Sequence, residues 1–141
     1  MAGRLKYGIR YRYPHMIKEE IEVWEKFMIL YPGKFETVDY DFRVGAGADI
    51  PIDTPENMTR MAKMLSQKRI DVLAWVGDSP TIIEIKGRVG LSALGQILGY
   101  KTLFKKYFKN IQDPELLIIC AEISKDDKDV LEENNIPVEV V

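Results

Sequence analysis

Two apolar segments that flank a short turn constrain the fold of this chain more than any other feature. The segments are RIDVLAWV (69–76) and TIIEIKG (81–87), and GDSP separates them. Turn-forming residues between two apolar segments of strand length predict an antiparallel β-hairpin. In the second strand Glu84 and Lys86 are two residues apart, so both project from one face of an otherwise apolar strand. An acid and a base in this position require either a function or a structural partner.

The register of the hairpin decides which charged side chains meet across it. One register places Asp71 opposite Lys86, and a shift by two residues places Asp71 opposite Glu84. In both registers the three charged side chains project from one face, where directly opposed side chains lie about 5 Å apart. The other face is expected to anchor the hairpin in the core through its apolar residues, Ile70, Val72, Ala74, Val76, Ile83 and Ile85.

The three charges have the composition of a site for a divalent cation. Two carboxylates at this separation repel each other unless a cation lies between them. Hard oxygen ligands with an open side suit Mg²⁺ or Mn²⁺. A nearby ammonium group from Lys86 would orient a water molecule and offset charge on a phosphate, as metal-assisted phosphodiester hydrolysis requires. The alternative is a structural ion pair between Glu84 and Lys86 on an exposed sheet face, since E-x-K tripeptides are common.

The segments around the hairpin predict helices and strands in alternation. Helical patterns begin at Pro14, at Asp53 or Thr54, and at Ser92, and SKDDKDVLEENN predicts a fourth, exposed helix. Strands are predicted in FETVDYDFRVG, ELLIICAEI and IPVEVV. This order predicts an α/β fold in which helices flank a mixed β-sheet. The length suits a single domain over residues 1–141.

Two of these segments show a distinct apolar face. Alternation in the strand FETVDYDFRVG predicts a core face made of Val38, Tyr40, Phe42 and Val44. The acids between them, Asp39 and Asp41, are predicted to face solvent. Helical spacing in the second helix predicts an inner face made of Met58, Met61, Ala62 and Leu65.

Composition excludes several classes of protein. A single cysteine and a single histidine rule out a disulfide framework and a zinc site of the usual ligand types. No apolar run approaches the length that crosses a membrane, so no membrane association is expected. The first residues lack the apolar stretch of a signal peptide, which favours a cytoplasmic protein, or an intracellular one if it is virus-encoded. The net charge of −2 neither indicates nor forbids a nucleic-acid partner.

Positive charge is concentrated near the start of the chain. Residues 1–13 form a basic arm with interleaved tyrosines, and its cations are Arg4, Lys6, Arg10 and Arg12. Such an arm suits binding along phosphates, but it is equally typical of a solvated terminal strand. Lys101, on the long helix that begins at Ser92, is a further candidate for a phosphate contact.

The same long helix carries two polar groups on an apolar face. At helical spacing one continuous arc contains Leu103, Gln96, Tyr107, Tyr100, Phe104, Ile97 and Phe108. Gln96 is the only fully polar member, and an unmatched buried amide costs about 1–3 kcal/mol. Gln96 is therefore either a core residue bonded to the backbone or, with Tyr100, part of the rim of the metal site.

These residues resemble a known family. RIDVLAW…TIIEIKG resembles the D…(D/E)-x-K signature of the PD-(D/E)XK nuclease superfamily, and GQILGY resembles the Q-x-x-x-Y motif of its RecB-like branch. The order of the elements is similar too. LLIICAEISKDDKDVLEENNIPVEVV is similar to the end of the nuclease domain in the EndoMS/NucS family. The resemblance covers about residues 14–141, with the second helix as an insertion.

The resemblance implies a restriction-endonuclease-like fold and hydrolysis of DNA with Mg²⁺ or Mn²⁺. It implies that Asp71 and Glu84 bind the metal together with the main-chain carbonyl of Ile85. It also implies that Lys86 is the catalytic lysine, and that Gln96 and Tyr100 complete the catalytic set.

Many members of the family carry a further acid on the first helix. Glu20 is our candidate for a fourth metal ligand, because it borders the apolar stripe that contains Ile21 and Trp24. Glu19 and Glu22 are expected to point to solvent.

Two other functions remain open from the sequence. A non-catalytic copy of the nuclease fold would serve as a nucleic-acid-binding or assembly module, and a purely structural protein would use the charged face as a polar surface. The complete Asp/Glu/Lys set favours an enzyme. The small size suggests a homodimer or a partner protein.

Overall fold

The computed structural model describes residues 3–141, in which six strands form one mixed β-sheet accompanied by four helices. The strands are β1 (Leu5–Lys6), β2 (Thr37–Val44), β3 (Lys68–Val76), β4 (Ser79–Val89), β5 (Glu115–Ile123) and β6 (Val138–Val140). The helices are α1 (Lys18–Leu30), α2 (Glu56–Ser66), α3 (Ser92–Tyr107) and α4 (Lys125–Glu133). The strands lie side by side in chain order; β1 to β4 are antiparallel, whereas β5 and β6 run parallel to β4.

The predicted order of helices and strands is confirmed, and so is the α/β fold class with a mixed sheet flanked by helices. The strand that the sequence left undecided is β1, which lies within the basic arm and pairs with β2 at the edge of the sheet. The first two residues of the arm lie outside the described ones. Among residues 3–141, no helix combines the length and the apolarity needed to cross a membrane.

The hairpin of β3 and β4 has a two-residue turn, which fixes its register. Val76 lies opposite Ser79, so that Gly77 and Asp78 alone form the turn, and Val72 lies opposite Ile83. Gly77 has a φ of 57°, which glycine adopts without strain and which a tight hairpin turn requires at this position. This register is the one that directs Asp71 toward Glu84.

The sheet is buried on both faces. On one face α1 packs over an apolar core that includes Trp24, Phe27, Val72 and Ile83, which we call the α1-side core. On the other face α3 covers a second core, the α3-side core, which includes Leu73, Trp75, Ile82, Ile97 and Phe104. Both faces of the hairpin are therefore apolar near its turn, and the charged residues are confined to its far end.

The strands β2 and β3 change face partway along their length, which the alternation of residues did not predict. Val38 and Tyr40 lie in the α1-side core, whereas Val44 and Phe42 belong to the α3-side core. The change occurs at Asp41, whose φ of 51° is in the left-handed region. The prediction of one shared core face for β2 is wrong for this reason.

The same change of face in β3 corrects the predicted anchor of the hairpin. Ile70 packs in the α3-side core and Val72 in the α1-side core, so they do not share a face. Val76 is exposed. Only Val72, Ala74, Ile83 and Ile85 form the common apolar face that the sequence predicted.

Asp39 is buried rather than solvated, which corrects a second prediction for β2. Its Oδ1 accepts hydrogen bonds from the backbone N and the Nε of Arg4, at 3.1 and 3.0 Å. Its Oδ2 accepts one from the indole N–H of Trp75 at 3.2 Å. The ion pair and the indole stabilise a carboxylate that would otherwise be costly to bury.

Helix α2 does not bury the face predicted for it. The side chains of Met58, Met61 and Leu65 are exposed, and no residue of the helix is buried. Polar contacts hold its C-terminal end: Ser66 Oγ accepts from Ala48 N at 2.7 Å, and the Gln67 amide donates to Gly45 O at 2.5 Å.

Candidate active site

The candidate site lies where the sheet divides. The pairing of β3 with β4 ends at Val72 and Ile83. Beyond this pair β3 continues beside β2 as far as Lys68, and β4 continues beside β5 as far as Val89. A gap therefore opens between the two central strands, and Asp71 and Glu84 are the first residues on either side of it.

Asp71 bridges this gap. Its Oδ2 accepts a hydrogen bond from the backbone N–H of Ile85 at 2.9 Å, so the side chain takes the place of a strand carbonyl. The bond holds the carboxylate, which is half-buried, across the gap toward β4. Asp71 thus has a structural role in addition to any chemical one.

Glu84 is buried with few interactions that would stabilise its negative charge. Its side chain is 3% exposed; Oε1 is 3.9 Å from Lys86 Nζ, and Oε2 has no hydrogen-bond partner within residues 3–141. Burial, the neighbouring Asp71 and the charge of Glu20 together raise the pKa of Glu84 to about 9, against the opposing effect of Lys86. Without a cation, Glu84 therefore carries a proton at neutral pH.

These residues have the chemistry to hold a divalent cation. A buried carboxylate with an oxygen that lacks a partner, beside a second carboxylate, gains most when a cation binds both. Among the described residues no three His, Cys, Asp or Glu side chains are arranged to hold a metal ion. Such a cation would therefore depend on Asp71, Glu84, a main-chain oxygen such as that of Ile85, and water, a set that suits Mg²⁺.

Helix α1 brings two acids close to this pair. Glu20 is half-buried, and its charge contributes to the raised pKa of Glu84. Its Oε1 also accepts from the backbone N–H of Ile17 at 3.2 Å, which caps the helix. The carboxylate of Glu19 lies against Gly87, where a Cβ would overlap it.

Glu19 is exposed, as expected, but its carboxylate also lies against β4. Gly87 directly follows the E-x-K tripeptide, and a residue without a side chain there lets an acid from the packed helix approach β4. Gly87 was the feature of the sequence from which this contact could have been predicted. Glu19 and Glu20 are both candidates for the further acid.

Helix α3 brings Tyr100 close to the gap, and Gln96 precedes it by one helical turn. Burial and the charges of Glu84 and Asp71 together raise the pKa of Tyr100 to about 12. Gln96 and Tyr100 line one cavity of about 310 Å³ together with Lys68. Gln96 is exposed, which excludes the alternative of a buried core glutamine.

The basic residues predicted to contact phosphates do not gather at this site. Arg4 and Lys6 lie at the turn end of the sheet, because β1 pairs with the part of β2 that faces Trp75. Arg10 and Arg12 are exposed, and the backbone N–H of Arg10 donates to the hydroxyl of Tyr13 at 2.8 Å. Lys101 lines a separate cavity of about 380 Å³ on α3.

A polar cluster that the sequence did not indicate lies beside Asp71. Asp41 is next to Asp71 in the register of β2 and β3, since the pairs Tyr40–Val72 and Phe42–Ile70 enclose them. Its carboxylate contacts His15 Nε2 at 3.2 Å and Arg69 Nε at 3.5 Å. The change of face at Asp41 makes these contacts, so the charged surface extends one strand beyond Asp71.

Two solved structures are similar to this chain. One is the crystal structure of a repair endonuclease from Pyrococcus abyssi, with a TM-score of 0.50, 14% sequence identity, and coverage of 95% of this chain and 49% of that one. The other is the structure of an EndoMS complex with double-stranded DNA, with a TM-score of 0.50, 12% identity, and coverage of 95% and 48%. No protein-family model and no curated protein matches the chain. The chain has the fold of these two proteins and spans about half of their length.

Proposed function

We propose that this protein is a deoxyribonuclease of the PD-(D/E)XK superfamily, RecB-like branch, which hydrolyses phosphodiester bonds with Mg²⁺ or Mn²⁺. The observation that carries the proposal is the buried Glu84, which lies between Asp71 and Lys86 and whose Oε2 has no hydrogen-bond partner among residues 3–141. A purely structural ion pair does not account for it, because burial and Asp71 raise the pKa of Glu84 to about 9 despite Lys86 at 3.9 Å, and a protonated carboxyl group forms no ion pair.

Each residue of the set has a distinct role in this proposal. Asp71 and Glu84 hold the cation, with the main-chain carbonyl of Ile85 as a further ligand. The cation, when bound, neutralises charge on the scissile phosphate and lowers the pKa of the attacking water. Lys86 positions that water and offsets the negative charge that develops on the phosphate. Gln96 and Tyr100 contact the substrate from the adjoining cavity.

DNA is the proposed substrate. One similar structure is a complex of EndoMS with double-stranded DNA, and the other is a repair endonuclease. The fold is shared with both, and the carboxylate pair lies at the gap between β3 and β4, close to Tyr100 of α3. Strand preference and assembly with a second copy or a partner remain open within this proposal.

A cleavage assay tests the proposed function. The chain is incubated with single-stranded, duplex, flapped and branched DNA in the presence of Mg²⁺, Mn²⁺ or a chelator, beside Glu84→Gln as the matched inactive control. We expect cleavage of at least one substrate with Mg²⁺ or Mn²⁺ and none with the chelator or the variant. DNA binding without cleavage under every condition would instead support the non-catalytic binding module.

Gln96→Ala tests the role of the exposed amide. Since Gln96 is exposed, its loss should change the free energy of unfolding by less than about 0.5 kcal/mol. We expect cleavage to fall about two- to tenfold, the value of one hydrogen bond to substrate. Thr102→Ala, an exposed substitution elsewhere on α3, is the control and should retain full activity. Unchanged cleavage in Gln96→Ala would remove this residue from the proposed set.

A further inference from the structure

A second cavity lies at the turn end of the sheet, away from the candidate active site. It has a volume of about 550 Å³ and lies between β2, β3 and the segment that follows α3. It is lined by Asp39, Phe42, Trp75, Asp78, Phe108, Asn110, Ile111 and Gln112. Trp75 is four residues from Asp71 on β3, a distance of about 13 Å along the strand. The volume is in the range of cavities that hold small organic groups.

The inner wall of this cavity is apolar and carries two aromatic rings, whose planes are tilted by 52° to each other. Phe42 and Phe108 lie with their ring centroids 5.5 Å apart, and Ile111 packs against the same core. All three side chains are only half-buried, so part of each remains uncovered in the cavity. Partly covered aromatic rings in a concave site favour a planar ligand, because a flat ring system removes the most apolar surface from water.

The polar groups of the cavity are a carboxylate, which accepts hydrogen bonds, and two side-chain amides. Asp39 Oδ2 accepts one hydrogen bond, from Trp75, and a carboxylate oxygen accepts two. The side chains of Asn110 and Gln112 are exposed at the opening, and each offers a donor and an acceptor. The guanidinium of Arg4, bound to Asp39, is 78% exposed. The cavity thus combines a carboxylate acceptor inside with amides and a cation outside.

We propose that this cavity holds a single unpaired nucleobase, stacked on the ring of Phe108 with the tilted ring of Phe42 beside it, and with its exocyclic amino group donating to Asp39. The proposal rests on the proposed function, since it assigns a second contact to the same nucleic-acid substrate. Aromatic side chains stack on bases, carboxylates accept from the amino group of cytosine, and amides bind base edges. A simple organic cation fits less well, because the guanidinium of Arg4 already neutralises Asp39.

Indole signals in proton–nitrogen NMR spectra provide the test. The chain has two tryptophans, and their indole N–H groups lie on opposite faces of the sheet: Trp75 donates to Asp39, and Trp24 donates to Tyr40. We expect cytidine to shift the Trp75 indole signal in a saturable manner and to leave the Trp24 signal unchanged. Uridine, which lacks the exocyclic amino group, should bind more weakly.

Two variants on neighbouring residues supply the matched comparison. Phe108→Leu removes the ring but retains apolar volume, and should weaken cytidine binding about tenfold. Tyr107→Leu makes the same change one residue away, on a side chain that does not line the cavity, and should leave binding unchanged. Three results would each overturn the proposal. The first is that no nucleoside shifts the Trp75 signal, and the second is that the two variants change cytidine binding equally. The third is that tetramethylammonium shifts the Trp75 signal in a saturable manner while nucleosides leave it unchanged.

The test separates this inference from the proposed function. Glu84→Gln should lose cleavage and keep the Trp75 shift, because the cavity does not include Glu84. Absence of cleavage in the unmodified chain with the shift present would refute the nuclease and retain the base site. Cleavage without the Trp75 shift would refute the base site and retain the nuclease.

Discussion

Lys86→Ala is expected to abolish DNA cleavage without weakening Mn²⁺ binding, whereas removal of either carboxylate is expected to abolish both. Asp71 and Glu84 are the two carboxylates on either side of the gap in the sheet, so the loss of either one removes a large share of the proposed metal ligands. Lys86 Nζ is 3.9 Å from Glu84 Oε1, and its removal takes a positive charge away from the cation. Loss of a group that positions the water should slow cleavage by about 10²- to 10⁴-fold.

The substitutions for this test follow from the structure. Asp71→Asn is preferable to alanine, because an amide oxygen can still accept from Ile85 N–H, and an unpaired N–H would cost about 1–3 kcal/mol. Arg88→Ala is the control for Lys86→Ala, since Arg88 lies two residues further along β4 in an exposed ion pair with Glu122. Calorimetric titration with Mn²⁺ beside thermal melts gives both readouts. Unchanged Mn²⁺ affinity in both carboxylate variants, with lower melting temperatures, would indicate a structural charge network instead.

The elements of the fold could be predicted because local signals marked their ends. Pro55 precedes α2, and Gly77 marks the turn between β3 and β4. Ser124 caps α4, where its side chain accepts from Asp127 N at 3.2 Å. These residues act over a few positions of the chain, so the sequence alone contains the information. The placement of Asp71, Glu84 and Lys86 at one gap followed from the same short hairpin.

The faces of the elements could not be predicted where distant parts of the chain decide them. Asp41 reverses the alternation of β2, and its partners His15 and Arg69 are far from it in sequence. Asp39 is buried because Arg4, 35 residues away, reaches its carboxylate. Periodicity describes one segment at a time, and it contains no information about such partners. The exposed face of α2 is the opposite case: an amphipathic pattern exists, but the described chain offers nothing to cover it.

Glu84→Gln is expected to make the metal-free protein less sensitive to rising pH. Glutamate has a pKa of 4.5 when exposed, and burial together with the neighbouring Asp71 raises that of Glu84 to about 9. Between these values the folded chain keeps a proton that the unfolded chain loses, so stability is complete below about pH 4.5 and falls as the pH rises toward 9. The slope for one proton is about 1.4 kcal/mol per pH unit, and a change from pH 5 to 8 therefore costs on the order of 4 kcal/mol.

Urea unfolding with a chelator present, from pH 5 to pH 8, measures this difference. Glutamine is neutral throughout, so the variant should lack the slope and be the more stable protein at pH 8, with similar stability at pH 5. Glu122→Gln, an exposed substitution, should follow the unmodified chain. Binding of Mn²⁺ requires the ionised carboxylate and releases its proton, so the apparent affinity of the unmodified chain should rise about tenfold per pH unit between pH 6 and 8. If the stability of Glu84→Gln and of the unmodified chain changed equally with pH, and the Mn²⁺ affinity did not depend on pH, Glu84 would already be ionised. The raised pKa of Glu84, on which the proposed metal binding rests, would then be refuted.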